Sequence, residues 1–246
     1  MITCKKNIKK GREIIFLIIT MFLLSGHLCG QNKNTIIVSS GTKIIDNFPP
    51  WVRYMYPQFV KGQVVLQNGL YSDCIVNYNM LIDEIEFIQD NDTLIIGKKR
   101  DLQYVIVGVD TFVYTPGYMK NASGFVQLIR GQKLKIYSKD RFYLKEILKR
   151  GAMGTVNRTA AIGSFGDFDE GGFIYSLVAT EDYVFRRELA YYISTSSGTL
   201  EPFKKRNILK LFSFHKKEVR KYIKTNKINF GKQEDIIKLA DFLSAL

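Results

Sequence analysis

Apolar and polar residues alternate in short runs over most of the chain, the period-two mark of half-buried strands. The pattern predicts strands at 35–38 and 42–45, paired as a hairpin around Ser39-Ser40-Gly41. After the interruption at Phe48-Pro49-Pro50-Trp51, strands follow at 59–66 and 71–79. They join at Asn68-Gly69, a dipeptide suited to the two positive-φ positions of a type I′ turn. In Glu84-Ile85-Glu86-Phe87 acids alternate with apolar residues, as if one face met water. Asp90-Asn91-Asp92 then turns the chain into 93–96, and further strands fit 102–109, 111–115, 124–129 and 134–137. Short adjacent strands with tight turns predict an antiparallel β-meander, curled into a sandwich or a partly closed barrel.

Residues 140–150 suit either a short helix or another strand. The 151–172 stretch holds six glycines and little periodicity and reads as a long loop. Residues 173–178 and 183–193 return to strand patterning. The chain ends in helices: 205–212, then about 214–226 behind Ser213 as N-cap with Val219, Tyr222 and Ile223 on one side. In the third, Glu234 and Asp235 favour the positive helix N-terminus. Ile236, Leu239, Ala240 and Leu243 form its packing stripe at i, i+3, i+4 and i+7. The fold class is therefore α+β, mainly β, with a β-rich domain at 31–202 and a small C-terminal helical subdomain at 203–246. The sequence shows no internal repeat.

The N-terminus bears on compartment. Lys5, Lys6, Lys9, Lys10 and Arg12 precede an uncharged run of 11 residues, Ile14 to Leu24. That run fits the core of a secretory signal and is short for a bilayer-spanning helix, which needs ~20 residues. Residues 1–30 read as a signal peptide, with cleavage after Gly30 and Gln31 as the new terminus. Two other readings are an acylated lipoprotein cysteine at Cys29, which Leu28 disfavours, and an uncleaved anchor. After cleavage no transmembrane span is expected, and the protein would be periplasmic or associated with the cell surface. Spanning β-strands need ~9–11 residues with an apolar outer face, which many strands here lack, so an outer-membrane barrel is excluded.

Export changes how the remaining chemistry is read. Of three cysteines only Cys74 follows the signal, so no internal disulfide is available, and Cys74 reads as a small buried hydrophobe. Positive charge concentrates at the end: residues 203–246 carry 12 bases and 4 acids, whereas 31–202 carry 19 bases and 18 acids. Lys216, Lys217, Arg220, Lys221 and Lys224 are the candidates for binding an anionic surface, the alternative being a solvated helix face. The expected partner is an anionic envelope component or another envelope protein. Nucleic acid is not expected, because export removes its commonest targets.

The segments Gly62-Gln63-Val64-Val65-Leu66-Gln67-Asn68-Gly69, Asn77-Tyr78-Asn79-Met80-Leu81 and Glu84-Ile85-Glu86-Phe87-Ile88, followed by Asp92-Thr93-Leu94, resemble a set of exported Bacteroidetes proteins of unknown activity. So do Ile208-Leu209-Lys210-Leu211-Phe212, Val219-Arg220-Lys221-Tyr222-Ile223 and Ile228-Asn229-Phe230. The likeness implies export and this fold, and carries no site residues. Asp92-Thr93-Leu94 also resembles the O-glycosylation motif of exported proteins of that group, although turn chemistry explains it equally.

Catalytic signals are sparse. Asp167, Asp169 and Glu170 in the glycine-rich loop could serve a carboxylate-dependent hydrolase with a glycan-type substrate, or a hard cation, but their spacing fits no calcium loop. No phosphate-binding glycine loop, zinc cluster or serine elbow is present, and His215 is the one histidine after the signal. No cofactor or metal is expected, and the favoured reading is a non-catalytic binding or envelope-interaction module. The signal reading has a direct test. Mass analysis of protein from the extracytoplasmic fraction should find Gln31 at the N-terminus, and an intact chain starting at Met1 in the cytosol would contradict export.

Overall fold

The structure is a computed structural model that describes residues 34–116, 123–131, 133–150, 156–160, 177–195 and 197–246. Residues 1–30, which read as a signal peptide, lie outside the described residues. Twelve strands form one antiparallel sheet that curls without closing. They are β1 (Thr35–Val38), β2 (Val60–Leu66), β3 (Tyr71–Asn79), β4 (Glu84–Gln89), β5 (Asp92–Ile95) and β6 (Leu102–Val107). The series continues with β7 (Asp110–Thr115), β8 (Gly124–Gly131), β9 (Lys135–Arg150), β10 (Val156–Ala160), β11 (Asp182–Ser194) and β12 (Leu200–Pro202). The sheet order is β1-β11-β9-β8-β7-β6-β2-β3-β4-β5, with β10 on β9 and β12 on β11. Among the described residues four α-helices complete the fold: α1 (Pro50–Arg53), α2 (Lys205–Leu211), α3 (Lys216–Thr225) and α4 (Gln233–Ser244). The mainly β class with C-terminal helices is as the patterning predicts.

Several local expectations are corrected. β1 pairs with β11, not with 42–45, because residues 41–44 instead bond residues 177–179 through Gly41 N to Ala179 O and Ile44 N to Leu177 O. The β2–β3 connection is a three-residue loop. Gly69 N donates to Leu66 O, and only Gly69 (φ +84°) takes positive φ, so this is a type I turn with a left-handed glycine. Positive φ at both central residues occurs instead at Asp90 and Asn91, joining β4 to β5. Residues 140–150 are strand, as is Val156–Ala160 inside the stretch read as a loop. Ser213 does not cap α3; His215 stands at that position without a side-chain cap bond.

One face of β9 carries two hydrophobic cores. Phe142 and Leu144 join Phe185, Phe48, Tyr78, Ile85 and Val105 in the larger core. Ile136 joins Tyr191, Ile193 and the helices in the second, through Ile208, Val219, Ile223, Ile236, Leu239 and Leu243. The predicted stripe of α4 is fully buried. Both cores lie within the compact unit Asn34–Leu246.

The two acids of β4 do not face water. Tyr54 bridges to Asn79 and lays its hydroxyl 2.6 Å from Glu86, which is 1% exposed and also accepts from Asn79 Nδ2 at 3.2 Å. Asn77 holds the same crossing segment through Tyr56 N and the carbonyls of Tyr56 and Gln58. Lys99 pairs with Glu84. A strand that reads as half-exposed is thus roofed by residues 53–58, whose Tyr54 hydroxyl bonds Glu86, while Lys99 meets Glu84 from the turn after β5.

The hinge of the sheet lies where β8 and β9 part. Their pairing runs from Gly131↔Lys135 to Gln127↔Ser138 and stops. Into the splay goes the β3–β4 turn, where Leu81 and Ile82 are buried, Asp83 takes φ +60° and Met80 O accepts from Phe142 N at 2.8 Å. Lys139 Nζ fills the gap, donating to Asp83 Oδ2 at 2.5 Å, to Phe125 O at 3.2 Å and to Ser123 O. The other Asp83 oxygen accepts from the Tyr78 hydroxyl at 2.7 Å, and Arg141 stands 3.7 Å away. Gly124 (φ +92°) has no alternative, since a Cβ there would run into the Asp83 carboxylate. Burial pushes the Lys139 ammonium below its ordinary pKa while Asp83 pulls it back up; burial and then Asp83 hold the Tyr78 phenol well above its own.

Two stability predictions follow from these buried groups. Lys139→Met leaves the Asp83 charge buried without its main partner and should cost about 3–5 kcal/mol. Adding Asp83→Asn, which tolerates positive φ, should recover more than half of that loss in urea unfolding. Equal losses in the single and double variants would contradict the pairing. Burial, then the bond to Glu86, lifts Tyr54 to about 12, and burial, then Asp110, lifts Tyr56 to about 12. The folded protein therefore keeps phenol protons that the unfolded chain releases near 10. Stability present below pH 10 should fall as pH rises towards 12, less steeply in Tyr54→Phe. An unchanged alkaline slope would contradict it.

Candidate anion-binding groove

The helical subdomain begins where Phe203 N donates to Tyr191 O at 2.7 Å and the chain leaves the sheet. α2 buries Ile208 and Leu209, and α3 buries Val219 and Ile223, one turn apart on its inner side. Helical periodicity then places Lys216, Arg220 and Lys224 in one stripe at i, i+4 and i+8, flanking the buried one on the side of α2. Lys205, Arg206 and Lys210 of α2 lie opposite. Together with Leu209 and Ser213 these six cations line an open groove of about 1010 Å³. Lys217 and Lys221 continue the positive belt around the exposed side of α3.

All six groove cations are exposed, and among the described residues none takes part in an ion pair. Among the described residues no acid lines the groove. Three of the four acids of residues 203–246 are engaged elsewhere: Glu218 with His215 at 3.2 Å, Asp241 with Arg130 at 2.8 Å, and Asp235 with the Asn229 amide at 3.0 Å.

These cations oppose the helices that carry them. Arg206–Lys210, Lys216–Arg220, Arg220–Lys224 and Lys217–Lys221 are like-charge pairs at i,i+4, each costing about 0.2–0.5 kcal/mol. Lys216 and Lys217 also occupy the first turn of α3, where the helix dipole disfavours positive charge. A solvated face selected for stability alone would interleave acids. An anion bridging the two helices would relieve the repulsion.

All five basic residues singled out from the sequence thus lie on α3, and three of them line the groove. Lys205, Arg206 and Lys210 enter only through the folded pairing of α2 with α3. Asp167, Asp169 and Glu170 lie outside the described residues. Cys74 is half-buried, and burial raises its thiol pKa, which disfavours the reactive thiolate. Among the described residues no cluster of three or more His, Cys, Asp or Glu could hold a metal, and no helix is long and apolar enough to cross a membrane.

A second polar region escaped sequence reading altogether. Ser138 and Asp140 interrupt the apolar face of β9 between its two cores. There Ser138 Oγ donates to Gln127 Oε1 (3.1 Å), Gln127 Nε2 to Asp110 Oδ1 (2.8 Å), and Tyr56 to Asp110. Arg187 grips Asp140 through two bonds of 2.8 and 2.7 Å. These bonds border a cavity of about 260 Å³, where Tyr78, Asp110, Gln127, Ser138, Lys139 and Asp140 each have a partner within the protein. Its role in the architecture is to keep the two cores apart.

No protein-family model matches this chain, and no curated protein or solved structure matches it.

Proposed function

We propose that this protein is an exported, non-catalytic binding module that engages an anionic component of the cell envelope through the groove between α2 and α3. The observation that carries this reading is the set of six cations facing one another across the groove, which make no ion pair among the described residues and are held there against helix electrostatics. Binding of this kind acts through summed long-range attraction and weakens with salt. The resemblance to exported Bacteroidetes proteins and the signal-like N-terminus support the compartment.

The experiment separates function from stability. With inorganic polyphosphate as the probe, the Lys216, Lys217, Lys221 and Lys224→Glu variant should lose salt-sensitive binding. Arg220→Glu alone places an acid between Lys216 and Lys224. It should raise thermal stability by about 0.5–1 kcal/mol while weakening binding. A stability gain with binding unchanged would reduce the belt to a solvated face and overturn the proposal.

A further inference from the structure

The turn between α2 and α3 holds a side chain that the groove alone does not explain. Phe214 is fully exposed, at 101% of its reference area, while its neighbour Phe212 packs against the second core. Ser213 lines the groove and Lys216 opens α3, so the bare ring sits at the end of the positive belt. Leu211, just before it, is 40% exposed. Trp51 on α1 (76% exposed), Leu70 in the β2–β3 loop and strand residues such as Ile37, Tyr71 and Leu94 are also exposed, but none of them adjoins the positive belt.

An apolar tip bordered by cations matches the profile of a charged bilayer, whose phosphates lie outside an acyl layer. A soluble polyanion offers the phosphates and nothing for the ring. Single-stranded nucleic acid would want several aromatic platforms along the groove floor, yet the apolar side chain lining the groove is Leu209. Phe also lacks the polar edge of Tyr or Trp, so water gives it no compensating bond.

We infer that the partner is an anionic lipid bilayer, met by the groove cations at the headgroups and by Phe214 inserted below them. This deepens the anion-binding proposal and rests on it. The reverse does not hold, since a soluble anion could fill the groove with Phe214 idle.

The test uses the folded unit Asn34–Leu246, so that the apolar N-terminal run cannot drive partition. Trp51 is the chain's one tryptophan and is exposed, so W51F/F214W puts a single reporter at the turn. Binding is measured to vesicles of phosphatidylcholine mixed with phosphatidylglycerol, to phosphatidylcholine alone, to inorganic polyphosphate and to a single-stranded oligonucleotide. The expected result is salt-sensitive binding to the mixed vesicles only among the vesicles, with the tryptophan emission moving to the blue. Phe214→Ser should weaken that partition about tenfold and leave polyphosphate binding unchanged. Polyphosphate or oligonucleotide binding without vesicle binding overturns the bilayer and leaves the anionic groove standing. Vesicle binding with unshifted emission and an unaffected Phe214→Ser does the same. Failure to bind any of the anionic probes overturns both.

Discussion

The architecture depends on one buried ion pair. β8 and β9 separate after Gln127↔Ser138, which would strand backbone carbonyls inside the protein, and Lys139 meets two of them while it neutralises Asp83. Because Asp83 belongs to the β3–β4 turn, the same contact brings one end of the sheet against its middle. Tyr78 ties that turn to the larger core through its hydroxyl and through its ring against Phe112. The pair thus closes the gap between β8 and β9 and holds the β3–β4 turn over the first core. Buried charges are tolerated when every donor and acceptor finds a partner, and here the ammonium has three.

The helical subdomain is organised differently. Its inner faces follow the ordinary rules, with α4 presenting an unbroken apolar stripe and Tyr222 of α3 stacked on Phe242 at 4.0 Å. Its outer faces break those rules, repeating like charges at helical spacing and leaving a phenylalanine bare. This contrast between consistent inner faces and inconsistent outer faces is the ground on which we propose an anionic partner. The β-sheet then acts as a mount, its second core fixing α2 and α3 so that their cations face one groove.

How legible this was in the sequence varied with the range of the forces involved. α4 could be read almost residue by residue, because period and burial coincide there, whereas β3 keeps its predicted limits but is buried on both faces from Val76 to Asn79. The same local logic misassigned the turns: Asn68-Gly69 looked like a type I′ pair, but a three-residue loop needs only one left-handed residue, and Asp90-Asn91 took the two-residue geometry instead. The burial of Glu84, Glu86 and Lys139 was invisible, since each stands where an exposed polar residue of a strand would stand and is covered only by distant segments. The basic stripe of α3 was readable from spacing, whereas its completion by Lys205, Arg206 and Lys210 required the packing of α2.

The claim on which the functional account stands is the location of the anion. Amide hydrogen exchange across Asn34–Leu246, with and without vesicles containing phosphatidylglycerol or with polyphosphate, addresses it directly. The account predicts new protection concentrated in residues 205–225 and little change in the sheet. Protection centred on the cavity beside Ser138 and Asp140, with α2 and α3 unaffected, would contradict it.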